Sequence, residues 1–275
     1  MARIESLAIL TNDSGKEFLA EQYGAVIANI QKNMISSKLK NTALSGTPTA
    51  GSVEAKRFVN RNSNAYGTAR TGNAGQKVKA EPVTIAINVD RELLTEVEQK
   101  DVSLYGVDNF VERQAAMDQK SMERELERAF FTTAANAATE VTPTGTDPQD
   151  MVEEAIQALE TVKNDYVDGV PRDMITVVCA PAVYGKLRTY LDTVSDGGSK
   201  GETINMYHGA RIESSTYLPT GVKMIVMADG AVAQPVLPTV APAQKIQLSN
   251  AYAFGLFYSY GTKAVAPDMI MKVNA

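Results

Sequence analysis

The residues best equipped for chemistry in this 275-residue chain are few, and their spacing argues against a catalytic centre. Its one histidine, His208, precedes Gly209 close to a glycine-rich stretch. A serine triad needs a histidine between a nucleophile and a carboxylate, and a multi-histidine metal site needs more than one. His208 alone supplies neither and reads as a surface or hinge residue. The one cysteine, Cys179, ends the apolar run at 175–179 and reads as a small core residue without a disulfide partner. Carboxylates are plentiful, yet Glu153, Glu154 and the acids from Glu123 to Glu127 fall where helical spacing predicts solvated faces. No two of them are singled out for a glycosidase-like cleft. Residues 197–203 (GGSKGET) hold the glycines and lysine of a phosphate loop but lack its Gly-Lys-Ser/Thr ending and a strand leading in, so a plain loop is expected. Asn12-Asp13-Ser14 matches a glycosylation acceptor, incidental without a signal peptide. No catalytic residue, cofactor or metal site is expected, and the chain reads as a protein that is not an enzyme.

The more informative charges are basic. Between positions 51 and 80 stand Lys56, Arg57, Arg61, Arg70, Lys77 and Lys79 against Glu54 alone, a balance of +5 in a chain whose formal net charge is −5. The remainder is therefore acidic, at −10. A basic arm on an acidic body suits docking between identical copies. Phe58 and Tyr66 are the only aromatics of that arm, too few for a base-stacking platform.

The arm itself reads as a hairpin. Residues 53–61 and 78–90 suit extended strands, the second alternating Val83, Ile85, Ile87 and Val89 with Thr84, Ala86 and Asn88. The intervening 62–75 are turn formers and small residues. At about 3.3 Å per residue each strand would reach roughly 30 Å. A two-stranded ribbon is marginal in water, so it must lean on its own body or on a neighbouring subunit.

The other elements follow from periodicity. Phe18, Leu19, Tyr23, Val26, Ile27, Ile30 and Met34 mark an amphipathic helix over 16–35, with Ser14-Gly15 as its cap. Residues 107–138 form a second helix of nearly 48 Å at about 1.5 Å per residue, its face set by Val111, Ala115, Met122, Leu126, Ala129, Phe130 and Thr133 and its charges interleaved. Asp147 caps a third helix that Pro148 opens. A buried strand at 174–179, a helix from Pro181, and strands at 210–215 and 222–227 make an alternating α and β segment. Tyr252, Phe254, Leu256, Tyr258 and Tyr260 alternate in a late strand, followed by a strand over 265–273 broken at Pro267. These last strands are expected to return to the sheet beside the long helix. With 44% hydrophobic residues the chain can bury a sizeable core. It has no secretory signal and no run of about eighteen apolar residues, so a soluble, intracellular product is expected.

The order of helical arm, basic hairpin, long helix, α/β segment and returning strands resembles the tailed-bacteriophage major capsid protein of the Hong Kong 97-like fold. The resemblance is carried by 53–90, by 107–138 and by 209–219 with the strand after it. It implies an α+β fold with an N-terminal arm (1–45), an extended β-hairpin or E-loop (46–90), a P-domain with a spine helix (91–145), an α/β A-domain (146–239) and return strands of the P-domain (240–275). The function implied is a head protein that self-assembles, as pentamers and hexamers, into an icosahedral shell around a double-stranded DNA genome. The shell is expected in the virion and to assemble in the host bacterial cytoplasm. Only about 45 residues precede the hairpin, so the partners implied include a separate scaffolding protein and a portal. DNA is expected to be enclosed without sequence-specific binding, and no membrane is involved. Lys56, Arg57, Arg61, Arg70, Lys77 and Lys79 are the expected subunit-docking residues. An encapsulin-like compartment shell shares the fold and is the first alternative; an α+β hydrolase, lacking nucleophile and base, is the second.

Overall fold

In the computed structural model the described residues are 6–61, 63, 65, 66, 79–102, 106–194 and 206–275, with backbone alone for 191–194. The helices are α1 (Asp13–Asn33), α2 (Ile35–Leu39), α3 (Gln99–Val102), α4 (Val107–Ala137), α5 (Pro148–Glu160) and α6 (Pro181–Val194). The strands are β1 (Leu44–Ser45), β2 (Ser52–Phe58), β3 (Ala80–Ala86), β4 (Val89–Glu98), β5 (Thr139–Glu140), β6 (Ile175–Cys179), β7 (Met206–Tyr207), β8 (Ala210–Ser214), β9 (Val222–Ala228), β10 (Val232–Ala233), β11 (Val236–Lys245), β12 (Ala251–Tyr260), β13 (Lys263–Ala264) and β14 (Ile270–Asn274). The chain divides into two compact units, each drawn from three separate stretches.

The first unit comprises 1–38, 86–127 and 235–261. Its sheet has the order β11-β12-β4, antiparallel throughout, with Tyr260 opposite Val89 and Ala251 opposite Glu98. The expected return of a late strand to the sheet beside the long helix is thus seen in β12. Tyr258 and Tyr260 stack on one face of β12 and donate to the Glu125 carboxylate of α4 at 3.0 and 3.1 Å, while Arg91 of β4 donates to it at 2.5 Å. Burial pushes Glu125 up, but the three donors outweigh it and hold the carboxyl below its ordinary value. Leu19, Tyr23, Val26 and Ile30 form the buried stripe of α1, at the spacings that the sequence predicts. The helix starts at Asp13 after Asn12, so Ser14 and Gly15 lie in its first turn and are not its cap. Gly15 is needed there, because a Cβ would fall 2.1 Å from the Ile9 carbonyl oxygen.

The long helix α4 covers 107–137, close to the 107–138 expected, and gives its residues up to 127 to this unit. Val107, Val111, Ala115, Met122 and Leu126 are buried along it. Two acids share that stripe, which corrects the expectation that the charges around 123–127 are solvated. Asp118 is 5% exposed and accepts from the Tyr23 hydroxyl at 2.9 Å and from Gln114 at 3.0 Å. Glu127 is 3% exposed, and its Oε1 accepts from the Ser36 backbone N–H at 2.9 Å and the Ser36 hydroxyl at 3.1 Å. The two carboxylates thus tie α1 and the start of α2 to α4. Burial raises both above the ordinary carboxylate range, more than the bonds from Tyr23, Gln114 and Ser36 lower them.

The second unit comprises 39–85, 128–234 and 262–275. Its six-stranded sheet has the order β5-β14-β9-β6-β8-β7, with β6 buried at every position and parallel to β8 across the α6 connection. Val152, Ile156 and Leu159 of α5 and Leu187 of α6 pack in the same core as Val177 and Val226. β14 joins this sheet beside β9, so the segment after 240 does not return as a whole to the sheet of β4 and β12. Asp147 occupies the N-cap of α5 without a side-chain bond. Glu154 instead reaches back to the loop before the helix, accepting from the Thr144 and Gly145 N–H groups at 2.8 and 3.0 Å. The strand expected over 78–90 is two strands, β3 and β4, in different sheets. Alternation continues across the break at 87–88, which is why period alone does not reveal it.

Glu127 generates a test of the first unit. A folded-state pKa that is raised gives stability fully present below the unfolded-state value and lost as pH rises through the folded one. Glu127→Gln keeps an acceptor for Ser36 without the charge, so its stability relative to the parent should improve as pH rises from about 4 to 7 in chemical unfolding. Glu127→Ala should cost about 1 to 3 kcal/mol, because it strands the Ser36 donors in a buried site.

Candidate assembly site at the root of the hairpin

β1, β2 and β3 form a three-stranded sheet with β2 in the middle. The inward residues Val53, Ala55 and Ile85 are at most 2% exposed and pack with Ala233 and Val265 of the same unit. The ribbon therefore has its core at its root and leans there on its own body. Beyond Phe58, the Val59 N–H bonds the Lys79 carbonyl at 3.1 Å, and Asn60 N–H reaches the Asp165 carbonyl at 2.8 Å.

Arg57 holds this root. Its guanidinium is paired with both oxygens of Asp268 and lies over the Tyr166 ring, 4.0 Å from the centroid. Tyr166 in turn donates to Glu81 of β3 at 2.5 Å, and the Asn164 amide also reaches Asp268. Asn164 shapes the turn by accepting from the Tyr166 and Val167 N–H groups at 2.8 Å each. Gly169, at φ 77, closes it, since a Cβ would meet the Glu160 carbonyl oxygen at 2.6 Å.

The six expected docking cations are therefore not equivalent. Arg57, with its side chain 17% exposed, is engaged inside its own subunit and is an anchor, not a free docking charge. Lys56, Arg61 and Lys79 are exposed, as are Phe58 (58%) and Tyr66 (93%). Arg70 and Lys77, most of the expected hairpin tip at 62–75 and the glycine-rich loop at 197–203 lie outside the described residues.

Elsewhere the chemistry-bearing groups are placed as structure. Burial pushes the Cys179 thiol up to about 12, far from a nucleophilic thiolate. His208 adopts φ 45 in a turn and meets the Tyr207 ring edge-on at 4.5 Å. Glu153 and Glu160, expected on a solvated face in the case of Glu153, clamp Arg172 at 2.7 and 2.8 Å. Bonding to Arg172 holds Glu153 below its ordinary value. No group of acids, histidines or cysteines with metal-binding geometry is present among the described residues, and no described helix is long and apolar enough to cross a membrane. Sequence reasoning missed Tyr166, Asn164 and Asp268, which only the fold brings to Arg57.

A model of the phage capsid protein family matches residues 87–268, two thirds of the chain. The chain belongs to the phage capsid protein family. Solved structures extend the likeness to the fold. A chain of Mycobacterium phage Che8 is 18% identical, with a TM-score of 0.63, over 100% of this chain and 92% of its own. The capsid of the cyanophage P-SCSP1u is 15% identical, with a TM-score of 0.64, over 88% of each chain. The virus-like particle from Pyrococcus furiosus is 12% identical, with a TM-score of 0.61, over 94% of this chain and 100% of its own. No curated protein matches by sequence. The fold is thus the α+β, Hong Kong 97-like fold of phage capsids, and the chain is a major capsid protein, a structural subunit of the virion shell. In this capsid protein the root cluster joins β2 and β3 to the turn at 164–169 and to Asp268.

Replacing Arg57 by Ala should therefore act within one subunit. It is expected to lower unfolding free energy by about 1 to 3 kcal/mol through loss of charge-assisted bonds, and to speed proteolysis of the 59–79 segment. Lys56→Ala, one residue away and exposed, should change neither readout.

Proposed function

We propose that this capsid protein forms pentamers and hexamers that close an icosahedral shell around the double-stranded DNA of a tailed phage. In this reading the segment 46–90 is the E-loop, α4 the spine helix, 146–239 the A-domain, and the hairpin overlies an adjacent copy. The family match over residues 87–268 carries the reading. The anchored root supports it, because a ribbon fastened at one end presents Lys56, Phe58, Arg61 and Lys79 outward at a fixed position. Outside the hairpin the chain is net acidic at −10, which suits a wall that confined DNA does not adhere to. Assembly takes place in the host bacterial cytoplasm, with a scaffolding protein and a portal as separate chains, and the subunit has no catalytic task. The encapsulin-like alternative shares the fold, and the phage capsid family match favours the genome-enclosing reading.

Electron microscopy of particles made with scaffolding protein, together with nuclease-protected DNA from phage heads, tests this function. Uniform shells holding genome-length DNA are expected; shells that hold a protein cargo and no DNA would reject it. A second variant tests the hairpin. Lys56→Glu with Lys79→Glu and Phe58→Ser should leave subunit melting unchanged and reduce shell yield strongly. Each exposed charge contributes only about 1 kcal/mol, but the loss recurs at every subunit contact.

A further inference from the structure

The charges of α4 alternate in sequence, but three of its acids are engaged within the subunit. Asp118 and Glu127 are buried, and Glu125 is held by Arg91 and two tyrosines. Lys120 and Arg124 remain exposed, and so does Met117, at 63%. Their spacings of three and four put the three side chains on one stripe of about 10 Å. Neither cation has an ion pair among the described residues.

The same unit carries a face of opposite sign. β4 exposes Glu92, Leu94 and Glu96, alternate residues spanning about 13 Å on one side of the sheet. Leu94 is 46% exposed, and Phe257, the register partner of Glu92, is 41% exposed. Gly255 lies opposite Leu94, and a Cβ there would come within 2.0 Å of the Leu93 carbonyl oxygen, so no neighbouring side chain covers Leu94 from that position. Flanking Asp90 is engaged by Ser259 and Glu98 by Lys100, each at 2.6 Å. Glu92 and Glu96 have no partner among the described residues.

We propose that these two faces are the halves of one contact between copies of this chain, Lys120 and Arg124 of one subunit against Glu92 and Glu96 of the next, with Met117 meeting Leu94 and Phe257. The proposal rests on the shell-building reading and adds a second contact to that of the hairpin. The two faces are opposite in sign, and each carries an exposed apolar side chain beside its charges: Met117 one turn before Lys120, and Leu94 between Glu92 and Glu96. Two different faces of one subunit make a heterologous contact, which repeats head to tail and closes into a ring when the rotation allows. A like-to-like pairing of either face would oppose equal charges. Nucleic acid is another polyanion that could cover the α4 stripe, but it offers nothing to Glu92, Leu94, Glu96 and Phe257.

A charge swap tests the contact in scaffold-assisted assembly of the full chain. Glu92→Lys with Glu96→Lys should cut shell yield by about tenfold or more, and so should Lys120→Glu with Arg124→Glu, since about 1.4 kcal/mol is a tenfold change at a single contact. Circular dichroism melting of each variant subunit should match the parent. Combining all four substitutions should restore shells. Parental yield from either pair alone, or no recovery in the combination, would overturn the contact. Recovery of the β4 variant only with Lys56→Glu and Lys79→Glu would overturn it by assigning that face to the hairpin. Normal shells from the α4 variant with reduced DNA retention would overturn it by assigning the stripe to nucleic acid. Parent shells in the same preparations keep the outcomes separate: their absence counts against the shell-building reading, and their presence with a silent swap counts against this contact alone.

Discussion

A small sheet with few apolar residues of its own must be fastened to the body that carries it, and the Arg57 cluster does this for β2 and β3. One guanidinium gathers Asp268 and Tyr166, and through them Asn164 and Glu81, from three other parts of the sequence that have no local reason to meet it. Val53, Ala55 and Ile85 supply the apolar floor beneath it. The arrangement divides the work physically. Apolar burial gives the root its stability, whereas the planar pairing of Arg57 gives it an orientation. A lysine at 57 would keep the charge but lose the flat face over Tyr166.

The first unit answers a different constraint. A helix of thirty-one residues crosses more environments than one apolar stripe can match, and two acids fall within the buried stretch of α4. Burying a carboxylate is costly unless donors converge on it. Tyr23 with Gln114, and the N–H and hydroxyl of Ser36, are those donors, so the charges that would have weakened the core instead fix the register of α1 and α2 along α4. Glu125 does the same on the sheet side, with Arg91, Tyr258 and Tyr260. Three acids of the helix, Asp118, Glu125 and Glu127, are thus held by donors, while Lys120 and Arg124 are left to solvent.

Most of the element order was legible because it rests on period and punctuation. Val107 to Ala137, the Pro148 and Pro181 helix starts and the all-buried strand Ile175–Cys179 follow from spacing alone. What escaped the sequence depends on partners far along the chain. Ile87 and Asn88 continue the alternation of β3, so nothing local marks the passage of the chain from one sheet to another. β14 alternates as any strand would, and its place beside β9 is decided by the six-stranded sheet. Asp147 has the right type and position for a cap, yet it makes no side-chain bond, and Glu154, nearly two turns into the helix, holds the N–H groups of the preceding loop. The cations of the hairpin were visible as a cluster. That Arg57 differs from Lys56 in kind is visible only once Asp268 is beside it.

The use of charge in two ways within one chain has a consequence for assembly. Ion pairs that define the subunit are at least partly shielded, short and supported by further donors, as at Arg57 and Arg172. Those proposed to act between subunits, Lys120, Arg124, Glu92 and Glu96, are exposed, with the exposed apolar Met117 and Leu94 beside them. Exposed pairs are weak one at a time and are screened over about 8 to 10 Å near physiological ionic strength. Weakness is an advantage for a shell, because a subunit added in the wrong place can leave before its neighbours enclose it. In the proposed ring, strength would come from closure: a subunit would hold two such contacts and its hairpin at once, and would have to break all of them to depart. A subunit rigid in its own pairs and reversible in its mutual ones satisfies both needs with arginine and glutamate in both roles.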